Sequence, residues 1–146
     1  MTDTVEKETN SPKNLIWIIV AVVVLAWYFR SDIATFTAAI TPPDYKMSAI
    51  SLMDAYAADE IAADLKYKDK IVVLTGRVLT KGKDVMGRLY VSYNVGRLTR
   101  SVECFFAPRY ARDVSDVNSG RDLTIRGRVE GMTGNVVVRG CRIVGG

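Results

Sequence analysis

Ile71-Val72-Val73-Leu74-Thr75-Gly76-Arg77-Val78 decides how this chain is read. It has an echo in Leu123-Thr124-Ile125-Arg126-Gly127-Arg128-Val129-Glu130. Both carry Gly-Arg-Val after β-branched and aliphatic residues, and both alternate with the period of a half-buried strand. Val72, Leu74, Gly76 and Val78 make the inner face of the first copy. Leu123, Ile125, Gly127 and Val129 make that of the second. A glycine in the middle of an inner face leaves space where a strand bends hard, as it must in a small closed barrel.

The period of two extends outward from these segments. A first strand is expected over residues 70–80 and a turn over 81–84. A second strand covers 88–93, with Leu89, Val91 and Tyr93 inward and Tyr90 outward. A third covers 101–106, with Val102, Cys104 and Phe106 inward and Glu103 and Phe105 outward. Pro108 suits the first turn of a short helix over 108–117. The fourth strand is the echo, and a glycine turn leads into a fifth over 135–144. Arg139 and Arg142 cannot both face out on a regular strand, so a bulge is expected at Gly140. Five strands with a short helix between the third and fourth is the order of an OB-fold barrel. The first and fourth strands pair in that fold, which predicts an outer surface shared by Arg77, Arg126 and Arg128.

Before the barrel, Ser48 is a candidate N-cap, and Ile50, Met53, Ala57 and Ile61 recur at helical spacing. A helix over 49–65, broken near 57–59, is expected to cap one end of the barrel. Residues 15–29 have no charge and are apolar all round. As a helix they cover about 22 Å, short of the ~30 Å hydrocarbon core. Leu15 and Trp17 at one end, and Trp27, Tyr28 and Phe29 at the other, sit where membrane-interface residues belong. A single membrane anchor is the favoured reading. A cleaved signal peptide ending near Thr37-Ala38-Ala39 and a buried core helix are the competing ones. The expected organisation is a polar tail (1–13), a transmembrane anchor (14–40), a linker (41–47) and an OB domain (48–146). Within that domain the helix occupies 48–65 and the barrel 66–146. The expected class is mainly β: a five-stranded OB barrel with an N-terminal capping helix, preceded by one transmembrane helix. Lys13 close to the span favours an inside tail and a soluble domain outside the cytoplasm.

Charge is divided unevenly. Residues 1–65 hold four Lys/Arg against nine Asp/Glu, and residues 66–146 hold sixteen against seven. A basic barrel attracts nucleic acid, anionic lipid or an acidic protein. The chain has no histidine and two cysteines. Ser-His and Cys-His pairs, His-containing metal sites and four-cysteine zinc sites are therefore absent. No Gly-rich phosphate loop is present. No catalytic residue, metal or cofactor is expected, and the chain is not read as an enzyme.

The chain resembles the tRNA_anti-like OB-fold domains of bacterial and phage proteins. The carrying residues are Ala62-Ala63-Asp64-x-Lys66-Tyr67-Lys68-x-Lys70, Thr75-Gly76-x-Val78 and Tyr90-Val91. Val102-x-Cys104-Phe105-Phe106, Ile125-x-Gly127-x-Val129, Gly134-Asn135-Val136-Val137 and Cys141-x-Ile143 complete the set. The resemblance implies an OB barrel, often preceded by a transmembrane segment. It leaves the ligand open.

OB domains bind ligands on the outer face of their second and third strands. Here that face offers Tyr90 and Phe105, with Arg88, Arg97 and Arg100 nearby and Lys81 and Lys83 on the first loop. Aromatic and basic residues interleaved in this way suit a single strand, with bases stacking and phosphates pairing. Cys104 and Cys141, on neighbouring strands, are either two buried thiols or a disulfide. The favoured function is a non-catalytic, membrane-tethered module that docks to a protein or ligand at the cell envelope, or self-associates. The alternative is single-stranded nucleic-acid binding by the basic, aromatic face.

Overall fold

The computed structural model describes residues 16–24 and 41–146. The chain separates into two compact units, Met1–Thr37 and Ala38–Gly146. In the first, residues 16–24 form helix α1, whose side chains, Trp17 among them, are exposed.

This corrects the expected anchor over 14–40. Among the described residues no helix is long and apolar enough to cross a membrane. Leu15, Trp27, Tyr28 and Phe29 lie outside the described residues, as does the polar tail. The single-pass membrane location, the membrane partner and the tethered docking module at the envelope all rested on that span, and they fall with it.

The second unit runs β1 (Tyr45–Ser48), α2 (Ala49–Ala58), α3 (Glu60–Tyr67), β2 (Ile71–Lys83), β3 (Leu89–Tyr93) and β4 (Val102–Phe106). A 3-10 turn (Pro108–Tyr110) and α4 (Ala111–Ser115) follow, then β5 (Asp122–Thr133) and β6 (Asn135–Gly145). The strands are ordered β1-β2-β3-β4-β6-β5, and β2 also pairs with β5, which closes an OB barrel. The long β2 serves both ends of that circuit. Its residues 71–77 pair with β5, and after a register shift between Val78 and Thr80 its last residues pair with β3.

The inner-face glycines make room for particular neighbours. A Cβ on Gly76 would lie 3.0 Å from Tyr93 Cδ1 and 3.2 Å from Ala49 Cβ. Tyr93 uses that space to reach across the barrel. Its hydroxyl donates to the carbonyls of Leu74, on β2, and Leu123, on β5. A Cβ on Gly127 would meet Val138 Cγ1 at 2.6 Å and Cys141 Sγ at 2.8 Å. The bulge expected near Gly140 is present. Gly140 has φ of 62°, and the register shifts there against both β4 and β5. Val136, Val138 and Cys141 are thereby all buried.

Two short helices close one end of the barrel. Ser48 Oγ accepts the Ser51 N–H and caps α2. Asp59 ends α2 and caps α3 by accepting the Ala62 N–H at 2.9 Å. This is the break expected near 57–59. Ala49, Leu52, Met53 and Tyr56 are fully buried. Burial of side chains the size of Leu52 and Met53 contributes roughly 1.5–3 kcal/mol each.

One strand was not expected. The segment read as linker carries β1, which lies parallel to residues 72–75 of β2. Those residues also pair with β5, so β1 takes the opposite edge of β2. The chain leading to β1 covers Arg126, which is 7% exposed and donates to the Thr41 carbonyl. Burial lowers the Arg126 pKa, with Arg142 nearby adding to the effect and Asp44 opposing it. Arg77 pairs with Asp122 at 3.8 Å, and Arg128 donates to the Asp69 carbonyl at 2.9 Å. Arg77 and Arg128 stay exposed, whereas Arg126 is covered, so the outer surface expected to be shared by all three lacks Arg126.

Candidate nucleic-acid interface

Strand parity places Val91, Cys104 and Phe106 in the core and turns Tyr90 and Phe105 outward. Tyr90 and Phe105 are direct cross-strand partners. Their ring centroids are 6.2 Å apart and the planes are tilted by 48°. Gly82, opposite Tyr90 on β2, leaves the ring space to lie against the sheet. The result is a half-buried aromatic shelf.

A fixed turn holds Arg88 against this shelf. Asp84 Oδ1 accepts the N–H groups of Met86 (2.9 Å) and Arg88 (2.8 Å). Its Oδ2 accepts Arg88 Nε and pairs with Arg88 Nη2, both at 2.7 Å. Gly87, at φ 76°, completes the reversal. Desolvation pushes the Asp84 carboxyl up, but the hydrogen bonds from Arg88 and Met86 outweigh it and hold its pKa below the ordinary value. The Arg88 guanidinium carbon consequently lies 4.7 Å from the Phe105 centroid, a cation–π geometry.

Beside the shelf lies a groove of about 440 Å³. Phe105, Val137 and Met132 supply apolar lining, and the cations are Arg88, Lys68 and Arg139. Arg139 is turned outward just before the Gly140 bulge and pairs with Glu130. Lys68 pairs with Asp64 at 3.6 Å, and Asp64 also accepts the Tyr56 hydroxyl at 2.9 Å. Burial, and then the Asp64 carboxylate, raise the Tyr56 pKa. Glu103 accepts from Asn135 Nδ2. Each cation of the groove is thus paired with a carboxylate. Such a lining suits a ligand with an apolar, π-bearing body and few charges.

The seven residues expected at the site divide. Arg88, Tyr90 and Phe105 come together as described. Arg97 instead reaches α2, where it pairs with Asp54 at 3.0 Å. Arg100 is exposed on the loop between β3 and β4. Lys81 donates to the Ser115 carbonyl of α4, and Lys83 is exposed at the end of β2 opposite Leu89. Cys104 and Cys141 are free and buried, and the Cys141 thiol donates to the Val138 carbonyl at 3.4 Å. Among the described residues no group of three or more His, Cys, Asp or Glu could hold a metal ion.

The sequence reading missed Lys68, Glu130, Asn135 and Arg139. For Arg139 a signal was present, since the bulge at Gly140 sets its direction. Asn135 opens β6 directly after a glycine turn, which OB geometry places at the rim of the ligand face. Lys68 and Glu130 belong to elements that only the closed barrel brings to the groove.

A model of the tRNA_anti-like family matches residues 11–142. No curated protein matches the chain. Among solved structures, a lipoprotein from Klebsiella pneumoniae subsp. pneumoniae MGH 78578, whose name proposes nucleic-acid binding, aligns with a TM-score of 0.56 at 16% identity. The alignment covers 71% of this chain and 99% of that one. At this identity the likeness shows the fold. Asparaginyl-tRNA synthetase of Entamoeba histolytica aligns with a TM-score of 0.39 at 17% identity, over 53% of this chain and 21% of that one. RecG bound to a three-way DNA junction aligns with a TM-score of 0.42 at 14% identity, over 57% and 12%.

Proposed function

The chain belongs to the tRNA_anti-like family, and on that premise we propose that its barrel is a non-catalytic module that binds single-stranded nucleic acid. The observation that carries this is the Tyr90–Phe105 shelf, with Arg88 held over Phe105, at the side of an open groove. Stacking of a base on an aromatic side chain is worth about 1–3 kcal/mol and tolerates any base, because every base has a π-face. The groove runs from β4, the third strand of the barrel, over β6, and the 84–88 and β5–β6 turns that flank it correspond to the two loops that border the ligand face of OB barrels. The name of the Klebsiella lipoprotein proposes the same ligand class for that protein.

The charges set the expected strength. Three cations line the groove, and each has a carboxylate partner. With about 0.7 counterions released per phosphate on a single strand, the slope of log K against log salt should be no steeper than roughly −2. Fluorescence anisotropy of a labelled single-stranded oligonucleotide, titrated across salt concentrations, tests this. The expected result is binding at low salt with that shallow slope. Absence of binding at low salt overturns the reading.

A further inference from the structure

One carboxylate in the groove differs from its neighbours. Among the described residues, Asp64 pairs with Lys68 and Glu130 with Arg139, whereas the partner of Glu103 is a neutral amide. Asn135 Nδ2 donates to Glu103 Oε1 at 2.8 Å. The other end of that amide is also fixed, because Asn135 Oδ1 accepts the Ser101 N–H at 2.9 Å. The backbone donor sets which way the Asn135 amide points, and the amide in turn sets the carboxylate. Glu103 is two residues before Phe105 on β4 and shares its face, roughly 6.6 Å along the strand. Both line the groove.

We propose that the groove selects guanine, with Glu103 accepting from the N1–H and 2-amino groups of a base stacked on Phe105. The proposal rests on the nucleic-acid reading above. An ionised carboxylate only accepts, at about four positions, and Asn135 uses one of them. Guanine is the base whose Watson–Crick edge carries two adjacent donors. Adenine and cytosine place a ring acceptor beside their amino group, and thymine flanks its one N–H with two carbonyls. Each of these sets at least one lone pair against the carboxylate. Glu103 also repels phosphate, so a strand entering here presents its bases to β4 and its backbone to the cations.

The test uses the full chain and labelled thymine dodecamers with guanine, inosine, adenine, cytosine or thymine at one central position. Anisotropy at low salt gives the ranking. Guanine should bind roughly tenfold more tightly than thymine, the scale of one bidentate contact. Inosine, which keeps N1–H but lacks the 2-amino group, should fall between them. Glu103→Gln offers one donor and one acceptor, a pair that the Watson–Crick edge of every base can match, so it should lose the guanine preference and bind the guanine, adenine, cytosine and thymine strands with similar affinity. Equal binding of all five strands by the unaltered chain overturns guanine selection and leaves the nucleic-acid reading standing. So does a Glu103→Gln variant that keeps the guanine preference. Absence of binding to every strand overturns both.

Discussion

Arg88 lies over the ring of Phe105 and is held there by a third residue. The guanidinium carbon lies 4.7 Å from the ring centroid because Asp84 grips Arg88 through Nε and Nη2. Asp84 is therefore a positioning residue for the shelf. Asp84→Asn should keep the barrel intact, release Arg88 from the ring and weaken oligonucleotide binding several-fold. The pH dependence gives a readout that a purely structural role would not. The Asp84 carboxyl is held below its ordinary pKa, so its grip is fully present above the unfolded-state value. It is lost as pH falls through the lowered folded-state value. NMR titration of the Asp84 carboxyl and the Arg88 Nε resonance checks this. Release of Arg88 at or above the ordinary carboxylate pKa would contradict it.

Gly127 tests the closure of the barrel. An alanine Cβ there would lie under 3.0 Å from both Val138 and Cys141, two fully buried side chains. Gly127→Ala should cost about 1–3 kcal/mol in thermal or denaturant unfolding, the usual scale of overpacking. Gly82→Ala is the matched control, since its Cβ would sit 3.4 Å from the edge of the Tyr90 ring in ordinary contact. It should leave stability nearly unchanged.

The thiols should be silent in the folded protein. Cys141 is fully buried, and desolvation followed by its contact with Cys104 pushes its pKa well above the ordinary thiol value. Thiolate is the reactive form. A thiol reagent at neutral pH should label neither cysteine in native protein and both after denaturation. Rapid labelling of Cys141 in the folded state would contradict the packing described.

Much of the barrel is legible in the sequence because it is written in local patterns. The alternation in residues 71–78 and 123–130 marks two paired strands, and the misplaced Arg142 betrays the bulge at Gly140. Tyr45–Ser48 could not be read in this way. Four residues after a Pro-Pro pair carry no period, and their pairing with β2 exists only in three dimensions. The same strand explains Arg126, which alternation sends outward and the chain before β1 covers.

The site was half legible for a similar reason. Tyr90 and Phe105 follow from parity alone. Arg97 and Lys81 have the right chemistry near the right strands, but Asp54 on α2 and the Ser115 carbonyl of α4 claim them. Nothing local in the sequence announces those partners.

The central claim is that nucleic acid binds by stacking on Phe105, a half-buried residue on the outer face whose removal leaves the core intact. The most direct measurement compares the affinity of a labelled single-stranded dodecamer for the unaltered chain and for Phe105→Ala, with folding of the variant checked by its thermal transition. Loss of one stacked base should weaken binding by roughly 5- to 150-fold, corresponding to about 1–3 kcal/mol. Equal affinity of the two folded proteins would contradict the claim.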